Sequence, residues 1–569
     1  MRLNLLGLAA LSLALLPDVR AQDGPNREQT TARLLTLESE LASEHQLIEE
    51  QRSELQLLRD TVLSLKAAVT SLEGAKLATP IAVVPTSKSS PDPGARPEAS
   101  TPLQEVSLQP AGAPLSFQIG GARFTPFGFV DLTLISRSTS VGSGSGTAFG
   151  SIPVKAYPIP LSSVQSGNAA LDALGGLPET LVSAQNSRLG LRVDTNFKGW
   201  DILGYLETDF VGADAFDAVL ARASNPLSVR LYFANLRKRN LEVLVGQSWS
   251  LMTPNRKGVS PLSSDVFYTV DLDTNYNVGL IWSRSAQFRL TYHPTESWSA
   301  AFSLENPQQY VGKLVTVPPA LSIYGDLLNN SGIGSAQTLN SVSNAQVPNL
   351  IPDIVGKLAR DGQIGDHDYH LEFGVLLRHF GVVNPANALR YGVVGGGISI
   401  NANFQLLQHL GLIVNTFASQ GGGRFASGLV PDVVARPNGS LSLVKAYSSL
   451  DGFEYGLGNN LLYGYYGLVY GQKNTRICPQ CDPSDPTEDY GFGSRNSYYT
   501  NRVVSEPTVG FDHTFWRNPS YGQFQFNSQF SYVHRSVWNE TGSYPGVNPD
   551  VFRQAHAYML FLNLRYLLP

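Results

Sequence analysis

The sequence predicts a transmembrane β-barrel of about 16 antiparallel strands, with 18 the neighbouring count, preceded by an N-terminal α-helical coiled coil. Three features require it. From about Gln185 to the C-terminus, segments of roughly ten residues alternate apolar with polar, as a strand between lipid and water must. Beyond the first residues, no apolar run reaches the ~18 residues that a transmembrane helix needs. And residues 33–73 repeat apolar side chains with a heptad period.

Taken in chain order, residues 1–21 read as an export signal. Arg2 supplies the positive region, Leu3 to Leu16 carries no charge, and Val19-Arg20-Ala21 offers a small-x-small cleavage site. Residues 27–73 form the coiled-coil segment, placed in the periplasm. Leu34, Leu41, Ile48, Leu55, Val62 and Val69 occupy a positions, and Leu37, Glu44, Gln51, Leu58, Leu65 and Leu72 occupy d. Arg33 with Glu38, Glu40 with His45 and Glu54 with Arg59 fit g to e′ pairs of a parallel assembly. The competing reading is a single amphipathic helix on the barrel, but six heptads in phase exceed what a surface helix needs. At 1.5 Å per residue the rod is ~60 Å long, and its heptads leave dimer against trimer open. Residues 74–116, rich in Pro, Ser and Ala, form an extended linker. The barrel domain is residues 117–569.

Within it, residues 185–210 make the clearest hairpin. Leu189, Leu191, Val193 and Phe197 share one face against Arg188, Arg192 and Asp194. A two-residue turn at Lys198 and Gly199 sets Phe197 opposite Trp200, Leu191 opposite Leu206 and Arg188 opposite Asp209. Further rows follow: Val229, Leu231 and Phe233; Leu241, Val243 and Val245; Tyr276, Val278, Leu280 and Trp282; Phe288, Leu290 and Tyr292; Trp298, Phe302 and Leu304. Leu371 to Leu377, Phe524 to Tyr532 and Tyr558 to Leu568 continue the rhythm. Irregular stretches at 139–184, 310–368 and 424–448 read as long loops, the second outside or folded into the pore.

Composition agrees with a barrel: charged residues make up 15% of the chain, against ~25% in an ordinary globular enzyme. All six Trp lie in the barrel region, where girdles at two membrane interfaces would use them. A net charge of −5 argues against a general nucleic-acid binder.

No catalytic, metal-binding or cofactor-binding motif is present, so neither an enzyme nor a cofactor is predicted. An outer-membrane hydrolase would need a lone Ser, His and Asn or Asp; His293, His513 and His534 are the histidines to watch. The four glycines within 392–397 suit a bent or closely approached strand better than a phosphate loop. Cys478-Pro479-Gln480-Cys481 admits a redox pair, half a metal site or a small disulfide. The Pro- and Asp-rich loop, an oxidising compartment and the absence of further ligands favour the disulfide between Cys478 and Cys481. Solute contacts are expected on the polar rows, at Arg188, Arg192, Arg230, Arg289, Arg378, Glu207 and Asp209, with Arg565, Asp131, Asp194, Asp201, Glu242 and Glu372 beside them. The balance of signs predicts a weak selectivity in which arginines face carboxylates across a constriction; solvated rows without preference are the alternative.

The order of signal, heptad rod, Pro-rich linker and large barrel resembles the DcaP-like trimeric outer-membrane porins. Local stretches are similar too: Phe127-Gly128-Phe129-Val130-Asp131, Ser187-Arg188-Leu189-Gly190, Val245-Gly246-Gln247-Ser248-Trp249-Ser250 and Pro352-Asp353-Ile354-Val355. The end, Tyr566-Leu567-Leu568-Pro569, departs from the aromatic terminus usual in barrels. The resemblance implies a homotrimer, a periplasmic coiled coil, and passage of small anionic solutes such as dicarboxylates. Together with the polar rows it predicts a passive diffusion channel in the outer membrane, in contact with its lipids. The opposing reading is a structural tether or adhesin anchored by the barrel.

Overall fold

The computed structural model describes residues 115–141, 146–153, 177–211, 226–262, 267–270, 277–281, 283–307, 351–383, 389–426, 429–479, 484–487, 489–494, 500–538 and 554–569, and Gln56. The predicted signal, the heptad rod apart from Gln56, and nearly all of the linker lie outside them. The barrel belongs to a compact unit, Glu98–Pro569.

The described chain begins with β1 (Phe117–Ile119), which turns into β2 (Ala122–Arg137). β3 (Glu179–Ser183) and β4 (Arg188–Phe197) share one edge of β2 as a single interrupted strand. The wall continues through β5 (Trp200–Asp209), β6 (Ser228–Lys238), β7 (Leu241–Trp249), β8 (Arg284–Thr295) and β9 (Trp298–Glu305). Next come β10 (Asp353–Ile364), β11 (His367–Val383), β12 (Arg390–Leu407) and β13 (Leu410–Gln420). A hairpin of β14 (Val433–Ala435) and β15 (Leu441–Leu443) leaves the wall before β16 (Lys445–Leu457) and β17 (Asn460–Gly471). A second hairpin, β18 (Asn474–Ile477) with β19 (Asp489–Phe492), precedes β20 (Asn501–Asn518), β21 (Gly522–Val537) and β22 (Gln554–Leu567).

Every pairing is antiparallel, and β22 pairs with β2 from Leu567 opposite Phe129 to Met559 opposite Arg137. Of the eighteen strands in this sheet, β1 and β3 are short partners of β2, so sixteen close the ring. Closure is what lipid demands, because an open edge would leave backbone N–H and C=O groups without partners.

The β4–β5 turn has Lys198 at φ 52° and Gly199 at φ 75°, the pair of positive values that lets a two-residue turn follow strand twist. The register then runs from Arg188 opposite Asp209, through Leu191 opposite Leu206, to Phe197 opposite Trp200, as the alternation predicts. Such short turns lie at one end of the barrel and the long connections at the other. Along β22, Tyr558, Leu560, Leu562 and Leu564 are exposed on the outer wall, whereas Asn563 is buried inside. The same division holds on β2, with Val130 and Leu132 outside and Asp131 and Thr133 inside.

Four sequence expectations need correction, the first being the supposed loop 139–184, which contains β3. Val278 and Leu280 do not belong to a strand, and Tyr276 and Trp282 lie outside the described residues. Asn277, Val278, Leu280 and Ile281 are all buried, so this stretch has no lipid-facing row. Its apparent alternation arises because Val278 and Leu280 enter different apolar clusters inside the barrel. Within the supposed irregular stretch 310–368, β10 is a full wall strand and β11 begins at His367. Within 424–448 lie β14, β15 and the start of β16. The glycines of 392–397 fall in β12, where a Cβ on Gly396 would clash with the Leu376 carbonyl, so close approach explains them.

The inner face changes character along the barrel axis. Towards the long-loop end, Ala557, Met559 and Phe561 of β22, Val533 of β21 and Val504 of β20 point inward and are buried. Phe149, Ile152, Leu429 and Val430 from the long connections pack on them. The loops here fold inward on an apolar patch of wall.

Candidate functional site: the lumen and its inward loop

The central feature is the β7–β8 connection, whose described residues, 250–262, 267–270, 277–281 and 283, fold into the barrel and are fastened around its inner wall by carboxylates. Glu305 on β9 accepts from the Leu251 N–H at 2.8 Å. Glu372 on β11 accepts from the Asn255 N–H at 3.1 Å and from its side-chain Nδ2 at 2.8 Å. Asp361 on β10 accepts from the Gly258 N–H at 3.0 Å, and Glu506 on β20 from the Val278 N–H at 2.9 Å. Arg256 forks onto both oxygens of Glu454 on β16, at 2.6 and 2.8 Å. A loop without ladder partners must satisfy its amides somehow, and an ionised carboxylate is the strongest acceptor the wall can offer.

Several of these acceptors are themselves held. Lys357 bridges Glu372 at 2.9 Å and the Thr253 carbonyl at 2.7 Å. His370 lies between Asp361 at 2.8 Å and Glu372 at 3.2 Å. Tyr465 donates to Glu454 at 2.7 Å, and the Arg256 guanidinium lies 5.1 Å from the centre of the Tyr268 ring. Burial alone would lower the Arg256 pKa, but Glu454, Tyr268 and Tyr465 together outweigh it and raise the value. Burial raises that of Tyr268, against the pull of Arg256. Cation and phenol therefore keep their protons together.

On β4 to β6 a second ionic group faces inward. A register shift between Glu207 and Thr208 leaves Arg230 as an extra residue on β6. The bulge aims Arg230 between Glu207 and Asp209, at 2.6 Å from each. Tyr205 donates to Glu207 at 3.1 Å, and Arg188 stands 4.0 Å from it. Arg188 and Arg565 both approach the Phe129 ring, and Arg565 reaches Asp131 at 2.9 Å.

The residues picked from the sequence thus separate into groups. Arg188, Glu207, Asp209 and Arg230 come together as one cluster. Arg192 shares their wall, forks onto Asp194 at 2.7 to 3.0 Å, and keeps 18% of its side chain exposed, against 3% for Arg188 and 1% for Arg230. Arg289 is buried on the carbonyls of Trp249 and Ser260 and on Gln287, so it supports the root of the inward loop. Arg378 has no exposed surface: it joins Asp353 and Asp432, with Arg424 on Asp353, beneath the β13–β14 connection. It faces inward but is sealed from the lumen water. The residues of this site that the sequence reading passed over include Arg256, Glu305, Lys357, Asp361, Glu454 and Glu506; Arg256 falls in a stretch without periodicity, so no pattern pointed to it.

Of the histidines, His293 lies between Ser299 Oγ at 3.0 Å and Glu242 at 2.9 Å, and His513 meets Asn460 at 2.8 Å. Ser299 is only 5% exposed, so the Ser-His-Glu arrangement is closed to a substrate and ties β7, β8 and β9 together. Cys478 is buried and disulfide-bonded, while Cys481 lies outside the described residues.

No protein-family model and no curated protein sequence matches the chain. Solved structures do. The outer membrane channel DcaP of Acinetobacter baumannii aligns over 79% of this chain and 98% of its own, at 14% identity and a TM-score of 0.54. The anion-selective porin of Comamonas acidovorans covers 79% and 100% at 11% identity, with a TM-score of 0.42. OmpT of Vibrio cholerae covers 79% and 99% at 10% identity, with a TM-score of 0.40. The closed ring of sixteen strands is therefore the fold of the DcaP-like outer-membrane porins, the family that the sequence resembles.

Proposed function

We propose that the protein is an outer-membrane porin through which small hydrophilic solutes, anions in preference, diffuse passively. The observation that carries this reading is the closed barrel, apolar outside and polar within, with one connection folded inside among charged side chains. An apolar outer wall fits lipid, and a lumen lined by fixed charges on a rigid frame fits the sorting of hydrated ions. The anion preference rests on Arg192 and its neighbours. Five acidic residues, Glu305, Asp361, Glu372, Glu454 and Glu506, are engaged in holding the inward loop, and Arg192 keeps more of its side chain exposed than Arg188 or Arg230 beside it. Guanidinium forks suit carboxylates, and water keeps each contact weak enough to release the solute. The heptad rod and the family resemblance support a homotrimer with the rod in the periplasm.

Planar-bilayer recording in a salt gradient tests the proposal. The wild type should show stepwise conductance and an anion-selective reversal potential, and a small dicarboxylate should pass faster than its neutral analogue. That difference should vanish when Arg188 and Arg192 become Gln. A wild-type pore favouring potassium over chloride, unchanged in the double variant, would overturn the anion preference; no conductance at all would overturn the porin.

A further inference from the structure

Down from the long-loop end of β16, β17 and β20 the outer wall changes character in a fixed order. Lys445 opens β16 and Tyr447 follows on the same face, both of them exposed. Tyr447 stands opposite Tyr470 on β17 with ring centres 6.1 Å apart, and Tyr470 meets Trp538, just past β21, at 6.3 Å. Below them Phe453 on β16, Tyr466 and Leu462 on β17, and Val509 and Phe511 on β20 are turned outward. Cations, then aromatic rings, then apolar wall is the order in which a barrel meets headgroups, interface and acyl chains.

Two local features bring further cations to the same place. β20 and β21 slip register between Asn501, opposite Val537, and Val503, opposite Ser536, so Arg502 is an extra residue with no counterpart across the ladder. The bulge leaves it exposed, with its guanidinium 5.0 Å from the centre of the Trp538 ring. Trp538 is itself fixed: Nε1 donates to the Gly471 carbonyl at 2.9 Å and the backbone N–H to the Thr500 carbonyl at 3.0 Å. Gly493, just after β19, has φ 80°, and a Cβ there would lie 3.0 Å from the Trp538 ring and 3.1 Å from the Lys473 side chain. Lys473 therefore flanks the same indole. Among the described residues neither Lys445 nor Arg502 has a carboxylate partner, and Lys473, also exposed, stands 3.8 Å from Asp489. β16 and β20 lie on either side of β17, ~10 Å apart, a gap that the long side chains of Lys445 and Arg502 can close around one headgroup.

We propose that Lys445, Lys473 and Arg502 bind the phosphate of a phosphorylated glycolipid in the outer leaflet, with its sugar against Tyr447, Tyr470 and Trp538 and its acyl chains on the apolar wall below. This rests on the reading of the chain as an outer-membrane barrel and goes beyond it by naming the lipid that this stretch of wall selects. Arg502 offers a planar fork for two phosphate oxygens, and the lysines add point charges. Charge favours lipid over a second copy of the chain as the occupant: three cations side by side fit an anionic headgroup at the level where the aromatic rings place it.

The test is native mass spectrometry of the full-length folded protein in detergent with added lipid A, its dephosphorylated form serving as control. The wild type should retain lipid A and release the dephosphorylated form. Replacing Lys445 and Arg502 by Gln should lower the retained fraction by roughly fivefold for each cation lost, with heat-modifiability unchanged, and Arg502→Lys should keep most of the binding. Equal retention of lipid A by wild type and double variant, or equal retention of both lipid forms by the wild type, would overturn the site. A double variant that falls to a smaller oligomer with its lipid A unchanged would also overturn it and assign the face to contact between copies. Single-channel conductance keeps the two ideas apart: a wild type that conducts nothing yet holds lipid A through Lys445 and Arg502 would sink the porin and leave the site standing.

Discussion

Arg230 shows how much a single residue can depend on backbone geometry. It is almost fully buried between Glu207 and Asp209, so removing it leaves two carboxylates facing each other without a counter-charge. Arg230→Ala should cost about 3–5 kcal/mol of barrel stability, the usual penalty for orphaning a buried charge. The denaturant midpoint of the refolded barrel in detergent checks this. Arg192→Gln, at a position that keeps 18% of its side chain exposed, should leave that midpoint nearly unchanged while altering selectivity. The sequence showed that Arg230 lies near a polar row. It could not show the bulge, because an extra residue in a strand changes the register without changing the composition. Arg378 is the opposite case: its inward direction was legible, but its burial came from Asp353 and from Asp432, the latter 54 positions away along the chain.

At the scale of elements, the β4–β5 hairpin and the 250–283 connection mark the two limits of legibility. The hairpin could be read because its turn residues and both alternations agree. The connection was misread in part because Val278 and Leu280 copy a strand rhythm while packing inside. Its amides are satisfied by side chains scattered over several strands, a pattern with no local signature. Deleting residues 251–281 and joining β7 to β8 with a short Gly-Ser bridge should raise single-channel conductance, since Trp249 and Arg284 already pair at the base. An unchanged conductance would mean that this connection does not narrow the passage. The apolar patch under the loops gives a separate expectation. Phe561→Ala should cost about 3–5 kcal/mol, visible as a lower unfolding temperature, because the inward loops cannot fully collapse onto the space left.

For the whole molecule, the barrel should not need the rod. The ring closes within Ala122–Leu567, so a chain lacking residues 27–116 should still give a heat-modifiable, detergent-resistant band; loss of all folded barrel would count against separate domains. The barrel class, the outward faces and the short turns were legible in the sequence alone, whereas the strand count was narrowed only to sixteen or eighteen. The legible features follow from local rules: a strand has period two, lipid accepts only apolar side chains, and a tight turn needs positive φ. Tertiary structure alone decided which connection turns inward, which carboxylates hold it, and which inward arginines stay in contact with water. Those outcomes depend on groups far apart in the chain meeting across a closed ring, where charge and hydrogen-bond balance, not periodicity, selects the partners.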